Sequence, residues 1–215
     1  MRTYEPQPGD IAACYGRDPL SLLITLGTYW PLSPPGLRLG PSHVAIMAPG
    51  TGLAPGMLWY ESTTMSPRKC LFRGEVEGRA ARGPQCHWPA DRISDYTQRG
   101  GKVVVYRLSR HDALSSPESY RLQSMFLDMM AEDQDYDMRG AATAGLRGTR
   151  WLLDQFGKHN RDVYCSDAIA YTLIRLGRLA DGNSNKYTPG RLLRVLVRNA
   201  RYTRHCVIDR SGVHS

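Results

Sequence analysis

Short apolar runs bounded by glycine, proline and polar residues predict most of the β-strands in this chain. The predicted strands cover residues 10–14, 43–47, 57–61 and 102–108, and the tail from His205 is expected to add one more. Residues 48–56, which are rich in glycine and proline, connect the second strand to the third. We therefore expect a hairpin with a nine-residue loop at this position.

Apolar residues that recur every three or four positions predict the helices. The predicted helices cover residues 19–26, 91–98, 116–130, 164–176 and 188–204, with a further turn or helix at 150–156. Asp18 and Thr188 each precede a proline, a pattern typical of helix N-termini. Residues 66–99 are rich in arginine, glycine and proline and only weakly periodic, so a long surface excursion is expected there.

The size and composition of the chain are those of one folded α+β domain. Its 215 residues are 41% apolar and 22% charged, which is enough for a single core over residues 1–215. The longest mostly apolar stretch, residues 20–26, is far shorter than the roughly 20 residues that cross a bilayer. Because the first ten residues lack the apolar segment of a secretory signal, we expect synthesis in the cytoplasm, with any export by another route.

The chain carries a formal charge of +8, from 28 basic and 20 acidic residues. This surplus is compatible with nucleic acid, an anionic membrane or an anionic wall polymer as a partner, and selects none of them. The predicted C-terminal helix has a basic face made of Arg191, Arg194, Arg198, Arg201 and Arg204. We expect this face to be the solvated side of the helix, because nucleic-acid binding would also want exposed aromatic residues interleaved with the charges.

The five cysteines do not form a recognisable framework. Their number is odd and no C-x-x-C spacing occurs, which argues against a set of disulfides and against a zinc ribbon. Cys70 and the adjacent pair Cys86-His87 lack the spacing of a metal site, so no metal and no cofactor is expected. Cys165 differs from the others because it lies in the first turn of a predicted helix, where the helix dipole favours a thiolate.

A cysteine nucleophile needs a base, and the predicted hairpin supplies one. If Met47 pairs with Met57, His43 lies opposite Glu61 on the same face of the sheet, so that the carboxylate can orient the imidazole. Helix N–H groups beside Cys165 could hold an oxyanion. His159 is a rival base, but it lies in a polar segment and is more easily explained as a loop residue.

Six short motifs follow one another in a characteristic order. They are Pro8-Gly9-Asp10-Ile11, Ser42-His43-Val44-Ala45-Ile46, Trp59-Tyr60-Glu61-Ser62, Val103-Val104-Val105-Tyr106-Arg107, Tyr136-Asp137 and Tyr164-Cys165-Ser166-Asp167. In this order they resemble the circularly permuted NlpC-type papain-like cysteine hydrolases, especially the YiiX-like subgroup, over about residues 7–180. The resemblance implies a permuted papain-like fold, in which a small antiparallel sheet or barrel packs against helices, with His43, Glu61 and Cys165 as the catalytic residues.

The resemblance also implies an activity, namely hydrolysis or acyl transfer at amide and ester bonds. The preferred expectation is cleavage of amide bonds in bacterial cell-wall peptides, with Tyr15, Ser42, Tyr164 and Ser166 as substrate-binding candidates. In a phage this would be a tail-borne or lysis enzyme, associated with the virion or with an envelope assembly partner. One alternative is a lipid acyltransferase or thioesterase with the same site, as in the related lecithin retinol acyltransferase group, and another is a non-catalytic basic binding or assembly module.

Overall fold

The computed structural model of the protein describes residues 3–33, 35–63, 66–72, 82–132 and 165–214. Within these ranges the chain has seven β-strands and five α-helices. The strands are β1 (Ile11–Tyr15), β2 (His43–Pro49), β3 (Met57–Thr63), β4 (Gly83–His87), β5 (Lys102–Leu108), β6 (Tyr202–Asp209) and β7 (Gly212–His214). The helices are α1 (Pro19–Gly27), α2 (Pro89–Gln98), α3 (Ser116–Ala131), α4 (Cys165–Arg175) and α5 (Pro189–Arg198).

The seven strands form one antiparallel sheet in the order β4-β3-β2-β1-β5-β6-β7. The predicted α+β class is therefore confirmed, and the described strands form an open sheet with β4 and β7 at its edges. Helices α3, α4 and α5 contribute to the larger core on one face of the sheet, and α2 lies against the smaller core on the other face. No helix within the described ranges is long and apolar enough to cross a membrane.

The two N-terminal signals predicted at Asp18 and Thr188 form caps, and the Thr188 hydroxyl accepts from the backbone N–H of Arg191 at the start of α5. The side chain of Asp18 accepts a hydrogen bond from the backbone N–H of Ser21 at the start of α1. At the start of α3, Ser115 and Glu118 form a capping box, in which each side chain accepts from the other residue's backbone N–H. The predicted apolar stripe of α3 is buried, since Leu122, Phe126, Met129 and Met130 all belong to the larger core.

The register of the β2–β3 hairpin differs from the prediction by two residues. Met47 pairs with Trp59, and the hairpin closes at Pro49 and Met57. The predicted pairing of Met47 with Met57 is wrong because β2 continues to Pro49, after which the Gly50 N–H donates to the Gly56 carbonyl oxygen. A shift of two residues keeps every side chain on its predicted face, because side chains alternate with a period of two.

Two further predictions need correction. The expected surface excursion at residues 66–99 is wrong for residues 83–87, which form the buried edge strand β4, whereas the helix predicted at 91–98 is confirmed as α2 and begins two residues earlier. β4 was not predicted because its sequence does not alternate between polar and apolar residues. Its polar side chains are buried beside the candidate site. The predicted helix at 188–204 ends at Arg198, since Ala200 has a φ of 55° and β6 begins at Tyr202. The predicted helix at 150–156 lies outside the described residues.

The basic face predicted for the last helix is only partly solvated. Arg191 and Arg198 are exposed, as expected. Arg194 is half-buried, and its guanidinium donates to the backbone carbonyl oxygens of Thr28 and Leu37. The solvated role predicted for Arg194 is therefore wrong, because this side chain fixes the segment after α1 against α5.

Candidate active site

The β2–β3 hairpin brings His43 and Glu61 into contact. His43 is the first residue of β2, and both side chains lie on the sheet face that carries the smaller core. The distance from His43 Nε2 to Glu61 Oε2 is 2.6 Å, and both side chains are buried. The predicted contact between imidazole and carboxylate is therefore present, although the two-residue shift makes His43 and Glu61 diagonal neighbours.

Cys165 reaches the same imidazole from the other helix layer. It is the first residue of α4, which packs on β2 and β3 and belongs to the larger core. Its thiol lies close enough to His43 to raise the pKa of the imidazole. Since Nε2 of His43 binds Glu61, Nδ1 is the nitrogen left for the thiol. The His43 imidazole is thus hydrogen-bonded to Glu61 and lies near the Cys165 thiol, and Cys165 itself is 3% exposed.

The charges around His43 favour its protonated form. Burial lowers the pKa of His43, but the negative charges of Cys165 and Glu61 and the hydrogen bonds to both raise this pKa from 6.5 to about 9. An imidazolium is therefore stable at neutral pH when the sulfur carries the negative charge. This is the charge arrangement that a cysteine nucleophile with a histidine partner requires.

Arg92 of α2 is a central residue of the site that the sequence did not indicate. Its Nε donates to Glu61 Oε1 at 2.7 Å, and its second terminal nitrogen donates to Glu61 Oε2 at 3.3 Å. Its first terminal nitrogen donates to Asp95 Oδ2 at 3.0 Å. The fork of Arg92 therefore fixes both oxygens of the carboxylate that orients His43.

Glu61 stays ionised despite complete burial. Its side chain is 0% exposed, and burial alone would raise the pKa of Glu61. The opposing charges of Arg92 and His43, together with the hydrogen bond to His43, hold this pKa well below its usual range. A buried carboxylate is tolerated only when it is paired in this way.

A second histidine lies beside the same carboxylate. His87 Nε2 is 3.6 Å from Glu61 Oε1 and 3.2 Å from Gln85 Oε1. Burial lowers the pKa of His87 more than Glu61 raises it, which favours the neutral ring. The Gln85 side chain also donates to the Thr63 carbonyl oxygen at 2.9 Å, so β4 supplies a polar wall behind the site.

The ring of Tyr96 lies nearly parallel to the imidazole of His43. The two rings stack with a centroid distance of 6.5 Å and an interplanar angle of 19°. The guanidinium carbon of Arg92 lies 5.4 Å from the centre of the Tyr96 ring. Arg92 and Tyr96 are four residues apart on α2, so one face of this helix fixes both Glu61 and His43.

The predicted substrate-binding residues have different surroundings. The Ser42 hydroxyl donates to the Cys14 carbonyl oxygen at 3.1 Å, and the Ser166 hydroxyl donates to the Tyr187 carbonyl oxygen. Both serines therefore hold neighbouring backbone in place. Tyr15 lies on the larger-core face, with Lys102 Nζ 5.2 Å from its ring centre. Their role in substrate binding stays a prediction, and Tyr164 lies outside the described residues, as does the rival base His159.

The other cysteines differ from Cys165 in their surroundings. All five are free and buried. Burial raises the pKa of Cys14 and of Cys206, and the pKa of Cys86 is raised by a hydrogen bond with Cys70 and by burial. The described part of the chain contains no group of three His, Cys, Asp or Glu side chains that could hold a metal ion.

An exposed apolar surface lies on the segment between β1 and β2. It consists of the outward side chains of α1 and the following loop, and we call it the leucine surface. Its members are Leu22, Leu23, Leu26, Tyr29, Leu32 and Leu39. The N–H of Gly16, just before α1, donates to the Ser42 hydroxyl at 3.2 Å, and Ser42 precedes His43. The backbone just before α1 is therefore hydrogen-bonded to the residue that precedes the imidazole.

Comparisons with known proteins show only a coarse likeness of structure. No model of a known protein family matches the chain, and a search of curated proteins found no significant match. The crystal structure of metalloprotein yiiX from Escherichia coli O157:H7 is similar over 80% of this chain and 67% of that chain, with 17% identity and a TM-score of 0.46. Nothing about activity follows from a likeness of this size, and the permuted papain-like arrangement stays a prediction.

Proposed function

We propose that this protein is a cysteine hydrolase that transfers an acyl group from an amide or an ester to water. The observation that carries the proposal is the 2.6 Å contact between His43 and the Glu61 carboxylate, with the Cys165 thiol near enough to the same imidazole to raise its pKa. Such an arrangement activates a thiol, holds the base in one orientation and stabilises the imidazolium that forms. The ion pair from Arg92 to Glu61 supports the same interpretation, because it fixes the residue that orients the base.

In the first half of the proposed reaction, the Cys165 proton moves to Nδ1 of His43 and the sulfur attacks the substrate carbonyl carbon. The resulting oxyanion would be stabilised by backbone N–H groups in the first turn of α4, which have no partner within the helix. His43 then gives its proton to the leaving nitrogen or oxygen. The bond to the leaving group breaks, and an acyl-cysteine remains.

In the second half, His43 accepts a proton from water while the water oxygen attacks the thioester. The carbon–sulfur bond breaks, the carboxylic acid leaves and the Cys165 thiol recovers its proton from His43. Glu61 keeps its negative charge throughout, because Arg92 holds its pKa well below the usual range in spite of burial. No external oxidant, reductant or cofactor is needed for this cycle.

The preferred substrate is an amide in a bacterial cell-wall peptide, cleaved by a phage tail or lysis enzyme. This substrate is supported by the resemblance of the sequence motifs to NlpC-type hydrolases. A lipid acyl substrate is the second candidate, and the leucine surface beside β2 favours it. Incubation with purified peptidoglycan fragments and with acyl lipids, followed by mass analysis of the products, distinguishes the two classes.

Selective alkylation tests the activated thiol directly. Because Cys165 is 3% exposed, the reagent should be small, and iodoacetamide between pH 6 and 9 is suitable. Cys165 should react fastest, since Cys14, Cys86 and Cys206 have raised pKa values. His43→Ala should slow this labelling at least about tenfold, whereas the matched change at the exposed His205 should not. Uniformly slow labelling of all five cysteines would contradict the proposal.

Turnover provides the second test. Cys165→Ala should abolish product formation while keeping the fold, as judged by circular dichroism. Glu61→Gln should lower kcat/KM by about 100-fold to 10,000-fold, because a neutral amide orients the imidazole poorly and cannot stabilise its charge. If Cys165→Ala retains the biological activity of the protein, the non-catalytic basic module becomes the better interpretation.

A further inference from the structure

The stretch of sequence that carries all of the leucine surface except Leu39 is uncharged. Residues 19–37 contain no Asp, Glu, Lys, Arg or His. Leu26 is 66% exposed and Leu32 is 84% exposed, so these side chains are not part of either core. A contiguous set of exposed large apolar side chains is uncommon on soluble proteins and marks a surface that binds a partner.

The protein holds this surface in a fixed position. Asp18 caps the start of α1, and the Thr28 carbonyl oxygen after its end accepts from Arg194 at 3.1 Å. Farther along, the Leu37 carbonyl oxygen accepts from the same guanidinium at 3.2 Å, and the Leu37 side chain is buried. Gly40 then packs closely on Gly190 of α5. The segment is therefore anchored at several points while its leucines face outward.

Cations border the leucine surface at both ends. Arg17 precedes α1 and Arg38 follows the uncharged stretch, and both are exposed. Arg191 of α5 is also exposed, and it lies next to Gly190, which contacts the segment at Gly40. The whole chain carries a net charge of +8. An apolar patch with a basic border is complementary to a surface that is apolar inside and anionic outside.

We propose that the leucine surface docks on an anionic phospholipid bilayer, with the leucines in the interface and the bordering arginines at the lipid phosphates. The nine residues of α1 span about 14 Å, less than half of the hydrocarbon thickness, so the helix lies along the bilayer surface. Tyr29 and Trp30 at its end are of the type enriched at membrane interfaces. A second copy of this chain would bring a like charge of +8 to the same basic border.

The docked bilayer would lie beside the candidate active site. Gly16 connects the start of the segment to Ser42 and thus to His43, and the Tyr187 carbonyl oxygen before α5 accepts from Ser166, next to Cys165. A lipid-borne acyl substrate would then be presented at the thiol. Only this consequence rests on the proposed function; membrane docking itself does not require an active thiol.

Vesicle sedimentation with the full chain tests the proposal. The wild type should bind vesicles of phosphatidylglycerol and phosphatidylcholine, bind pure phosphatidylcholine more weakly, and lose affinity as salt is raised. The double variant Leu23→Ser/Leu26→Ser should bind the anionic vesicles roughly tenfold more weakly or worse, because two interfacial side chains lose their apolar contact. Leu53→Ser is the matched control, since Leu53 is 91% exposed but lies in the β2–β3 loop, and it should bind like wild type.

Three results would overturn the proposal. The first is a wild type that sediments with neither vesicle, and the second is an equal loss of binding in the double variant and in Leu53→Ser. The third is a wild-type dimer, seen by sedimentation velocity, that the double variant abolishes, since a second copy would then cover the surface. Cys165→Ala should bind vesicles normally, so a failure of the hydrolase proposal is recognised separately.

Discussion

Replacing Arg92 with methionine tests how the buried carboxylate of Glu61 is stabilised. The change keeps much of the side chain and removes two guanidinium contacts to Glu61, at 2.7 and 3.3 Å. Removing one partner of a buried ion pair costs about 3–5 kcal/mol, because the remaining charge stays buried without compensation. We expect the free energy of unfolding at pH 7 to fall by this amount or somewhat less. The loss is smaller if His43, which lies 2.6 Å from Glu61, still compensates part of the buried negative charge.

Urea unfolding of a double-mutant cycle measures the coupling. Because the neutral amide of Glu61→Gln needs no cation, the double variant Arg92→Met/Glu61→Gln should be about 2 kcal/mol more stable than the sum of the single effects predicts. Arg201→Met is the matched control, since it removes the 3.3 Å ion pair with Asp112 in a more exposed position. That change should cost less than about 1 kcal/mol.

The pH dependence gives a second readout of the same interaction. Burial raises the pKa of Glu61, but Arg92 and His43 lower it well below 4.5, so the stability gained from this carboxylate is present above pH 4.5 and is lost as the pH falls through the lowered pKa. The difference in unfolding free energy between wild type and Arg92→Met should therefore become smaller below pH 4.5. Two results would refute this prediction. One is that the effects of the Arg92 and Glu61 substitutions on the unfolding free energy add within about 0.5 kcal/mol, and the other is that the difference between wild type and Arg92→Met does not change with pH.

The remaining predictions concern the imidazole, a loop glycine and a helix cap. Burial lowers the pKa of His43, but Cys165 and Glu61 raise it from 6.5 to about 9, so the stability from its protonation is complete below pH 6.5 and is lost as the pH rises through 9. The difference in unfolding free energy between wild type and His43→Gln should shrink over that window, and a constant difference would contradict this. Gly50→Ala should lower Tm, because its Cβ would clash with the Ala54 carbonyl oxygen, whereas the Cβ of Gly52→Ala meets nothing within 4 Å; equal Tm values would contradict the clash. Ser115→Ala should cost about 1 kcal/mol by removing the capping hydroxyl of α3, and an unchanged urea midpoint would contradict it.

The parts of the fold that the sequence predicted are those governed by local rules. Caps and periodicity located α1, α3 and α4 within one or two residues, because capping side chains and apolar stripes act over a few positions. The contact between His43 and Glu61 was predicted correctly although the predicted register was wrong. The register differs by two residues, and a shift by an even number leaves both side chains on the same face of the sheet. A shift of one residue would have placed His43 on the opposite face.

The parts that escaped prediction depend on tertiary contacts. Arg92 has the sequence pattern of a surface arginine, and only the packing of α2 against the sheet buries it beside Glu61. The spacing of Arg92, Asp95 and Tyr96 on one helix face was the available signal, but a polar helix face usually contacts solvent. β4 was not predicted because its polar residues Gln85 and His87 would be expected on the surface. Only the packing of the folded sheet buries them, with His87 beside Glu61.

The thiol and its imidazole come from opposite sides of the sheet. α4 belongs to the helix layer on one face, whereas His43 shares the other face with α2, and the two meet at the first residue of β2. Neither layer alone can complete the pair, so a refolding chain should gain rapid alkylation at Cys165 only after both layers have docked. The rate at which rapid alkylation of Cys165 appears during refolding would therefore measure when the two helix layers dock on the sheet. Helix formation itself is followed separately by far-ultraviolet circular dichroism.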